Sequence, residues 1–332
     1  MRIVFFGTPE FAVPCFDRLL HSPDHEILGV VTQPDRRRGR GSRLMFSPVK
    51  SQAVAQELPL WQPERLKRDQ VTLDHLKNLG ADVFVVVAYG QLLSKALLDM
   101  PRLGCVNVHG SLLPAYRGAA PIQWSLYDGV TETGITTMRM DEGMDTGDML
   151  LKARVPVSPL DHAQVLADRL AQVGADLLME TLQAWEQGEI TPEPQDHHQA
   201  TYASLVTKEH YSLDWERSSW QLHNQIRGFY PQCQTLFRGD SLKIMGTIPL
   251  GCEIPGEMPP DWDPLMQRWH TEEVDPAAKP GQVIALWKNQ GAVVKTGVGA
   301  LLLTQVQPPG KRPLSGWDFV NGARLKIPEQ LG

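Results

Sequence analysis

The sequence predicts an α/β fold with a doubly wound sheet, followed by a smaller β-rich module. Short apolar strands alternate with helical segments over the first half of the chain, which is typical of a sheet covered by helices. Residues 81–88 (ADVFVVVA) are apolar on both faces, as in a central parallel strand. After Trp215 the pattern changes to short β-like segments with glycine turns, which favour a small barrel or sandwich.

Length and composition predict a globular protein with two domains. The 332 residues are 42% hydrophobic and 21% charged, and the formal net charge of -6 argues against a generally basic nucleic-acid binder. No targeting segment or membrane-spanning run is evident, so we expect a cytoplasmic protein with no membrane contact. The four cysteines are far apart and lack Cys-x-x-Cys spacing, which indicates neither a disulfide scaffold nor a zinc site.

The first strand covers residues 2–6 and ends at Gly7. Thr8-Pro9-Glu10 then predicts a helix start with a hydroxyl cap. This turn could bind a nucleotide, but both glycine-rich phosphate motifs are absent, so a plain tight turn is favoured. The next predicted elements are strand 27–32, helix 47–56, strand 58–61, helix 69–79, strand 81–88, helix 92–99, strand 104–109, helix 121–127, strands 133–140 and 149–157, and helix 161–187.

A basic run follows the second strand. Arg36, Arg37, Arg38, Arg40, Arg43 and Lys50 accompany a single acid, Asp35. Such a run can be a solvated loop. Clustered guanidinium groups among glycines also suit phosphate contacts, so binding of a polyanion stays an equal alternative.

The chain is organised around residues 103–121 (LGCVNVHGSLLPAYRGAAP). With a period of two, Asn107 and His109 share one face of a strand that stops at Gly110. An amide and an imidazole therefore meet at the carboxyl end of a core strand, where open α/β sheets bind ligands. A lone histidine at a strand end is more often structural, and Asn-x-His is too short to be specific.

An acidic turn, residues 140–149 (MDEGMDTGDM), separates two predicted strands. It can be a plain Asp/Gly turn, and it lacks the spacing of a calcium loop. Asp145 is its best candidate for a carboxylate that orients His109. Together with Asn107 these residues supply an oxyanion donor, a general base and an orienting acid, as acyl transfer to an amine requires.

Residues 190–207 show no periodicity and predict a linker, with His197 and His198 facing solvent. The β module beyond it has a helix at 219–229 and strands at 235–237, 242–245, 283–286, 292–295 and 300–306. A proline-rich stretch, about 247–280, carries seven acidic and two basic residues, whereas the rest of 208–332 carries six acidic and eleven basic residues. Without this acidic insertion, the module is therefore net basic.

Several motifs occur along the chain in a fixed order: GTPEF (7–11), TQPDRRRGRG (32–41), SPVK (47–50), VVAYG (86–90), NVHGSLLPAYRGAAPIQ (107–123), MDEGMDTGDM (140–149) and PPGKRPLSGWDFVNGAR (308–324). In content and order they resemble the methionyl-tRNA formyltransferase family, within the wider folate-dependent formyltransferases. Ala115, where that family usually carries a basic residue, and Gln232-Cys233-Gln234 depart from its pattern.

The resemblance implies a Rossmann-like formyltransferase domain at 1–189, a linker at 190–207 and an OB-like tRNA-binding domain at 208–332. It implies formyl transfer from 10-formyltetrahydrofolate to methionyl initiator tRNA, by a monomer and without metal. The implied site residues fall into three groups: catalytic Asn107, His109 and Asp145; folate-binding Ser111, Leu112, Leu113 and Pro114; and Arg36, Arg37, Arg38, Arg40 and Arg43 in the acceptor-stem loop.

Three other functions remain as alternatives. A sister formyltransferase could act on a sugar nucleotide or glycinamide ribonucleotide, but the arginine run and the basic module argue against it. A nicotinamide oxidoreductase would use the same sheet, but this sequence lacks the glycine fingerprint and the acid after the second strand that would bind the ribose. An RNA-binding module without catalysis is the third alternative.

Overall fold

The computed structural model describes residues 1–38 and 43–332. The chain forms two compact units: the first comprises residues 1–121, 133–155 and 167–204, and the second comprises 122–132, 156–166 and 205–332. Most of the predicted linker, residues 190–204, is therefore grouped with the first unit.

The elements up to residue 204 are β1 (Arg2–Gly7), α1 (Val13–Leu20), β2 (Glu26–Val31), β3 (Arg36–Arg38), β4 (Arg43–Met45), α2 (Pro48–Ala55), β5 (Leu60–Trp61), α3 (Gln70–Leu79), β6 (Val83–Val87), α4 (Lys95–Leu98), β7 (Cys105–His109), β8 (Arg117–Gly118), α5 (Pro121–Asp128), β9 (Glu132–Arg139), β10 (Met149–Pro156), α6 (Ala163–Gln187) and β11 (Tyr202–Ala203). Ser47 and Asp69 cap α2 and α3 through their side chains, accepting from Lys50 N and Thr72 N respectively.

The doubly wound sheet is confirmed. Among the described residues seven strands form it, in the order β10-β9-β7-β6-β1-β2-β5. The pairs β1–β2, β1–β6, β6–β7 and β2–β5 are parallel, and β7–β9 is antiparallel. Because the chain leaves β1 first towards β2 and later continues at β6 on the other side, the switch point lies between β1 and β6. Ligands of such sheets bind at the carboxyl ends of the strands there.

The prediction that the Thr8 hydroxyl caps the first helix is wrong. A 3₁₀ turn (Glu10–Ala12) precedes α1, and Pro9 is its N-cap. The Thr8 hydroxyl instead donates to the Tyr89 carbonyl and accepts from the Gln33 backbone N–H, both at 3.3 Å. The Thr8 side chain therefore bonds distant residues instead of its own helix. These bonds connect the loops that follow β1, β2 and β6.

The second unit contains α7 (Ser219–Gly228), β12 (Gln234–Phe237), β13 (Asp240–Leu250), α8 (Asp263–His270), β14 (Val283–Trp287), β15 (Gly291–Lys295), β16 (Ala300–Gln307), β17 (Leu314–Ser315) and α9 (Gly316–Ala323). The strands pair antiparallel in the order β12-β13-β16-β15-β14, with β17 beside β16. Because strand side chains alternate, Leu301 and Leu303 enter one core cluster with α7, and Leu302 enters a second on the opposite face.

The acidic insertion covers that opposite face. β13 continues to Leu250, so the first residues of the predicted insertion belong to a sheet strand, and residues 251–280 form the insertion proper. Trp262 is 3% exposed and packs in the second cluster with Trp287. The Trp287 indole donates to the Glu272 carboxylate at 2.7 Å, which fixes the insertion to the sheet. The described part of the chain contains no helix long and apolar enough to cross a membrane.

Candidate active site

Asn107 and His109 lie at the carboxyl end of β7, between β6 and β9. Asn107 is opposite Val86 on β6 and Met138 on β9, and His109 is opposite Thr136. Both side chains are nearly buried, with exposed fractions of 8% and 6%. As predicted from the period of two, they occupy alternate positions on one strand and so share a face of the sheet.

Both nitrogens of the His109 ring face oxygen atoms. Nε2 is 2.9 Å from the Tyr116 carbonyl oxygen, and Nδ1 is 3.7 Å from Asp145 Oδ2. Since a carbonyl oxygen can only accept a hydrogen bond, Nε2 carries a proton and donates it. Nδ1 is therefore the nitrogen that can gain a proton, and a proton gained there would face the Asp145 carboxylate.

The acidic turn presents Asp145, and not Asp141, to the imidazole. Asp145 Oδ2 also accepts from the Gly118 backbone N–H at 2.8 Å. Asp141 accepts instead from Gly143 N at 3.0 Å and from the Thr146 hydroxyl at 2.6 Å, so it shapes the turn itself. Asp145 has a φ of 54°, in the left-handed region, where a residue with a side chain is held only by its surroundings.

The predicted folate-binding residues follow directly after β7. Ser111 is fully buried and its hydroxyl donates to the Ala115 carbonyl at 2.6 Å. Leu113 is also buried and packs with Met138 and Met149. Leu112 and Pro114 are half-buried, so of the four predicted residues these two are the ones with partly exposed surface.

The chain is similar in sequence and in fold to known proteins. The family model for formyl transferase matches residues 1–182, and that for the formyl transferase C-terminal domain matches residues 205–324. A methionyl-tRNA formyltransferase from Trichormus variabilis is 60% identical over 332 residues, covering 100% of this chain and 99% of that protein. One from Cyanothece sp. is 59% identical over the same length and coverage.

The chain belongs to the formyl transferase family. Its relatives of 55–60% identity within that family are named methionyl-tRNA formyltransferases. Among solved structures, the N-formyltransferase from Helicobacter canadensis in complex with folinic acid and dTDP-3-aminofucose has a TM-score of 0.61 at 16% identity. That likeness covers 92% of this chain and 98% of the other, and it shows a shared fold.

In this formyl transferase, a cavity of about 260 Å³ opens at the switch point of the sheet. Its lining comes from the loops after β1, β2 and β6 and from the segment after β4: Thr8, Pro9, Gln33, Pro34, Asp35, Met45, Phe46, Ser47, Ala88, Tyr89 and Gly90. Gln33 donates to the Tyr89 carbonyl at 3.1 Å, and the hydroxyls of Thr32 and Ser47 are 3.0 Å apart. Sequence analysis missed this cavity because its walls come from four separate segments.

The arginine run of this formyl transferase begins at the edge of the cavity. β3 and β4 pair antiparallel, with Arg36 opposite Met45 and Arg38 opposite Arg43, whereas Arg40 lies outside the described residues. The carboxylate of Asp35 holds Lys50 at 2.5 Å, and both side chains are nearly buried. The hydrogen bond from Lys50 keeps the pKa of Asp35 below its ordinary value. Lys50 is therefore paired with Asp35, next to β3, and is not a free cation for phosphate.

Residues 193–203 of the formyl transferase pack against the loop that bears Tyr116 and Gly118. β11 pairs with β8, and Arg117 N donates to the Thr201 carbonyl at 2.8 Å. Short main-chain pairings of this kind leave no periodic pattern in the sequence, which is why composition alone predicts a linker here. Among the described residues, no group of three or more His, Cys, Asp or Glu side chains is arranged to hold a metal ion.

Proposed function

We propose that this protein transfers the formyl group of 10-formyltetrahydrofolate to the α-amino group of methionyl initiator tRNA. The observation that carries the proposal is the contact of His109 with Asp145 at the end of β7, in a chain 60% identical to a methionyl-tRNA formyltransferase. Residues 1–189 form the catalytic domain in this proposal, and residues 208–332 bind tRNA.

The amine attacks the formyl carbon, and the resulting tetrahedral intermediate carries a negative oxygen. We assign the Asn107 amide as the donor to that oxygen. His109 is the general base, and its Nδ1 accepts the proton that the amine loses. The Asp145 carboxylate lies beside the same nitrogen and stabilises the resulting imidazolium by its negative charge. When the carbon–nitrogen bond to tetrahydrofolate breaks, the imidazolium returns the proton to the leaving nitrogen.

The two substrates approach from different sides of His109 in this proposal. Leu112 and Pro114, half-buried beyond β7, supply apolar surface for the folate ring, and Ser111 and Leu113 hold their loop from within. The cavity beside β1 and β6 receives the methionyl end of the acceptor, because it lies two strand spacings, about 10 Å, from β7. We assign Arg36, Arg37, Arg38, Arg40 and Arg43 to contacts with the phosphates of the acceptor stem.

A formylation assay with competing acceptors tests the proposal. The purified protein is given 10-formyltetrahydrofolate with methionyl initiator tRNA, free methionine or a dTDP-amino sugar in separate reactions. We expect efficient transfer to the charged tRNA alone. Transfer to the amino sugar with none to tRNA would instead assign the chain to sugar formylation, and binding of tRNA without any transfer would make it an RNA-binding protein.

A further inference from the structure

Gln195 is a buried amide whose hydrogen bonds reach both sides of the candidate site. It is 6% exposed and lies in the segment whose composition predicts a linker. Its Nε2 donates to the carbonyl oxygens of Asp145, at 2.9 Å, and Gly147, at 2.7 Å. Its Oε1 accepts from Arg117 Nε at 3.0 Å and Nη2 at 2.7 Å. One side chain thus joins the acidic turn to the loop that follows β7.

Arg117 is at the centre of the groups that hold His109. The residue before it supplies the carbonyl that accepts from His109 Nε2, and the residue after it supplies the N–H that donates to Asp145 Oδ2. The Arg117 side chain is 1% exposed, so a buried guanidinium needs acceptors, and Gln195 Oε1 provides one for two of its N–H groups.

The backbone on either side of His109 is strained. Asp145 and Tyr116 both have left-handed φ angles, 54° and 59°. A residue with a side chain in that region costs on the order of 1 kcal/mol or more and persists only when its surroundings hold it. The two hydrogen bonds from Gln195 fix the carbonyls at and just beyond Asp145, and the backbone of Arg117 is fixed by Thr201.

We propose that Gln195 is a positioning residue for Asp145. Its amide, bonded to Arg117, clamps the acidic turn so that the Asp145 carboxylate meets both the Gly118 N–H and the His109 ring. The inference rests on the proposed function for its kinetic consequence, but the clamp itself is a property of the fold.

Two variants separate the parts of the clamp. Gln195→Glu keeps oxygen acceptors for Arg117 but loses both hydrogen bonds donated to the turn. Gln195→Met has a side chain of similar length and loses the bonds to both Arg117 and the turn. We expect each to lower kcat by about 10- to 100-fold, since a small misplacement of a catalytic group has that effect, with KM for tRNA and folate within about twofold. Gln199→Glu makes the same charge change at an exposed site, where the side chain donates to Asp196, and should leave kcat unchanged.

A double-mutant cycle distinguishes positioning from loss of structure. In an Asp145→Asn background, Gln195→Glu should cost little further kcat, because the carboxylate it positions is already gone. A full additional loss there, or full activity of Gln195→Glu alone, would overturn the proposal. If only Gln195→Met were impaired, the partner of Arg117 and not the turn would matter, and the proposal would also fail.

Hydrogen exchange provides a readout that needs no activity. The Gly118 amide should exchange faster in Gln195→Met than in the wild type or in Gln199→Glu, because its acceptor on Asp145 has moved. Unchanged protection would refute the clamp even in a protein that formylates tRNA. A wild-type protein that formylates no acceptor would refute the proposed function and leave this measurement to decide the clamp.

Discussion

At the residue scale, the site consists of an imidazole held between a carbonyl and a carboxylate. The Tyr116 carbonyl oxygen accepts a hydrogen bond from the Nε2 proton, which leaves Nδ1 to exchange protons beside Asp145. The two oxygens come from segments that are 29 positions apart in the chain, Tyr116 and Asp145. This arrangement gives the side chain one protonatable nitrogen and one fixed orientation.

His109→Ala should abolish formyl transfer and leave the affinities for folate and tRNA nearly intact, because the base acts on the reaction and not on binding. Asn107→Ala should lower kcat by about 100- to 1,000-fold, the usual cost of one oxyanion donor. Steady-state kinetics of both variants checks this. Retention of most turnover at every pH would remove His109 from the mechanism, and a loss below tenfold would make Asn107 a packing residue.

Asp145→Asn keeps the shape of the side chain and removes its charge. Turnover should fall, and the limb of the pH–rate profile that reports the base should move to lower pH, since a protonated imidazole loses its anionic neighbour. The profile of Asp141→Asn serves as a control, because Asp141 bonds within the turn. Equal effects of the two substitutions would contradict the assignment of Asp145.

At the element scale, α7 carries a buried histidine, His223, that bonds the loop residue Pro159 through one ring nitrogen and Thr247 of β13 through the other. His223 Nε2 donates to the Pro159 carbonyl at 3.0 Å, so its Nδ1 accepts from the Thr247 hydroxyl at 2.9 Å, and the ring is neutral. Burial, with a smaller effect of the Arg227 guanidinium, lowers the pKa of His223 from 6.5 to about 3.

Because the folded pKa lies below the unfolded one, the unfolded state binds the proton first as pH falls. The free energy of unfolding should therefore decrease below pH 6.5, and the share due to His223 between pH 7 and pH 5 is about 2 kcal/mol. Urea unfolding of the wild type and of His223→Gln at both pH values measures it. Gln keeps a donor towards Pro159 and cannot titrate, so parallel losses in the two proteins would refute the attribution.

Trp262 is the buried tryptophan of the acidic insertion and packs against the sheet. Trp262→Ala should lower the free energy of unfolding by about 3–5 kcal/mol, the usual cost of removing a large buried aromatic side chain. Leu236→Ala on β12, a residue that is 55% exposed, is the matched control and should have little effect. A small loss for Trp262→Ala in thermal or urea unfolding would mean that the insertion contributes no core.

At the scale of the whole molecule, a net charge of -6 is combined with local basic regions. The insertion carries a large fraction of the acidic residues of the C-terminal module. It is bound to one face of the sheet through Trp262 and Glu272. We expect its charge to be kept away from the RNA, with the arginine run and the remaining basic residues of the module making the phosphate contacts.

Replacing Arg40 and Arg43 together by alanine should raise the KM for tRNA and flatten the salt dependence of binding. Each lost phosphate contact removes about 0.7 to 0.9 from the slope of log affinity against log salt. Folate binding should not change. Arg65→Ala with Arg68→Ala removes equal charge from another exposed surface and is the control. A slope and affinity equal to those of the wild type across a salt series would make the arginine run a solvated loop.

The sequence by itself determined the features that depend on short-range periodicity and composition. The alternation of strands and helices, the apolar run of β6, the shared face of Asn107 and His109 and the capping of α2 and α3 all follow from neighbours within a few residues. The motifs between Gly7 and Arg324 carried the family resemblance for the same reason, since each is contiguous.

The tertiary structure alone decided which distant groups meet. The Thr8 hydroxyl bonds Gln33 and Tyr89 instead of capping a helix. Gln195, in a segment without periodicity, bonds the main chain of the acidic turn. The switch-point cavity and the covered face of the second sheet also arise from separate segments. Such contacts depend on which side-chain donors and backbone carbonyls the fold brings within about 3 Å, and no local pattern in the chain encodes that distance.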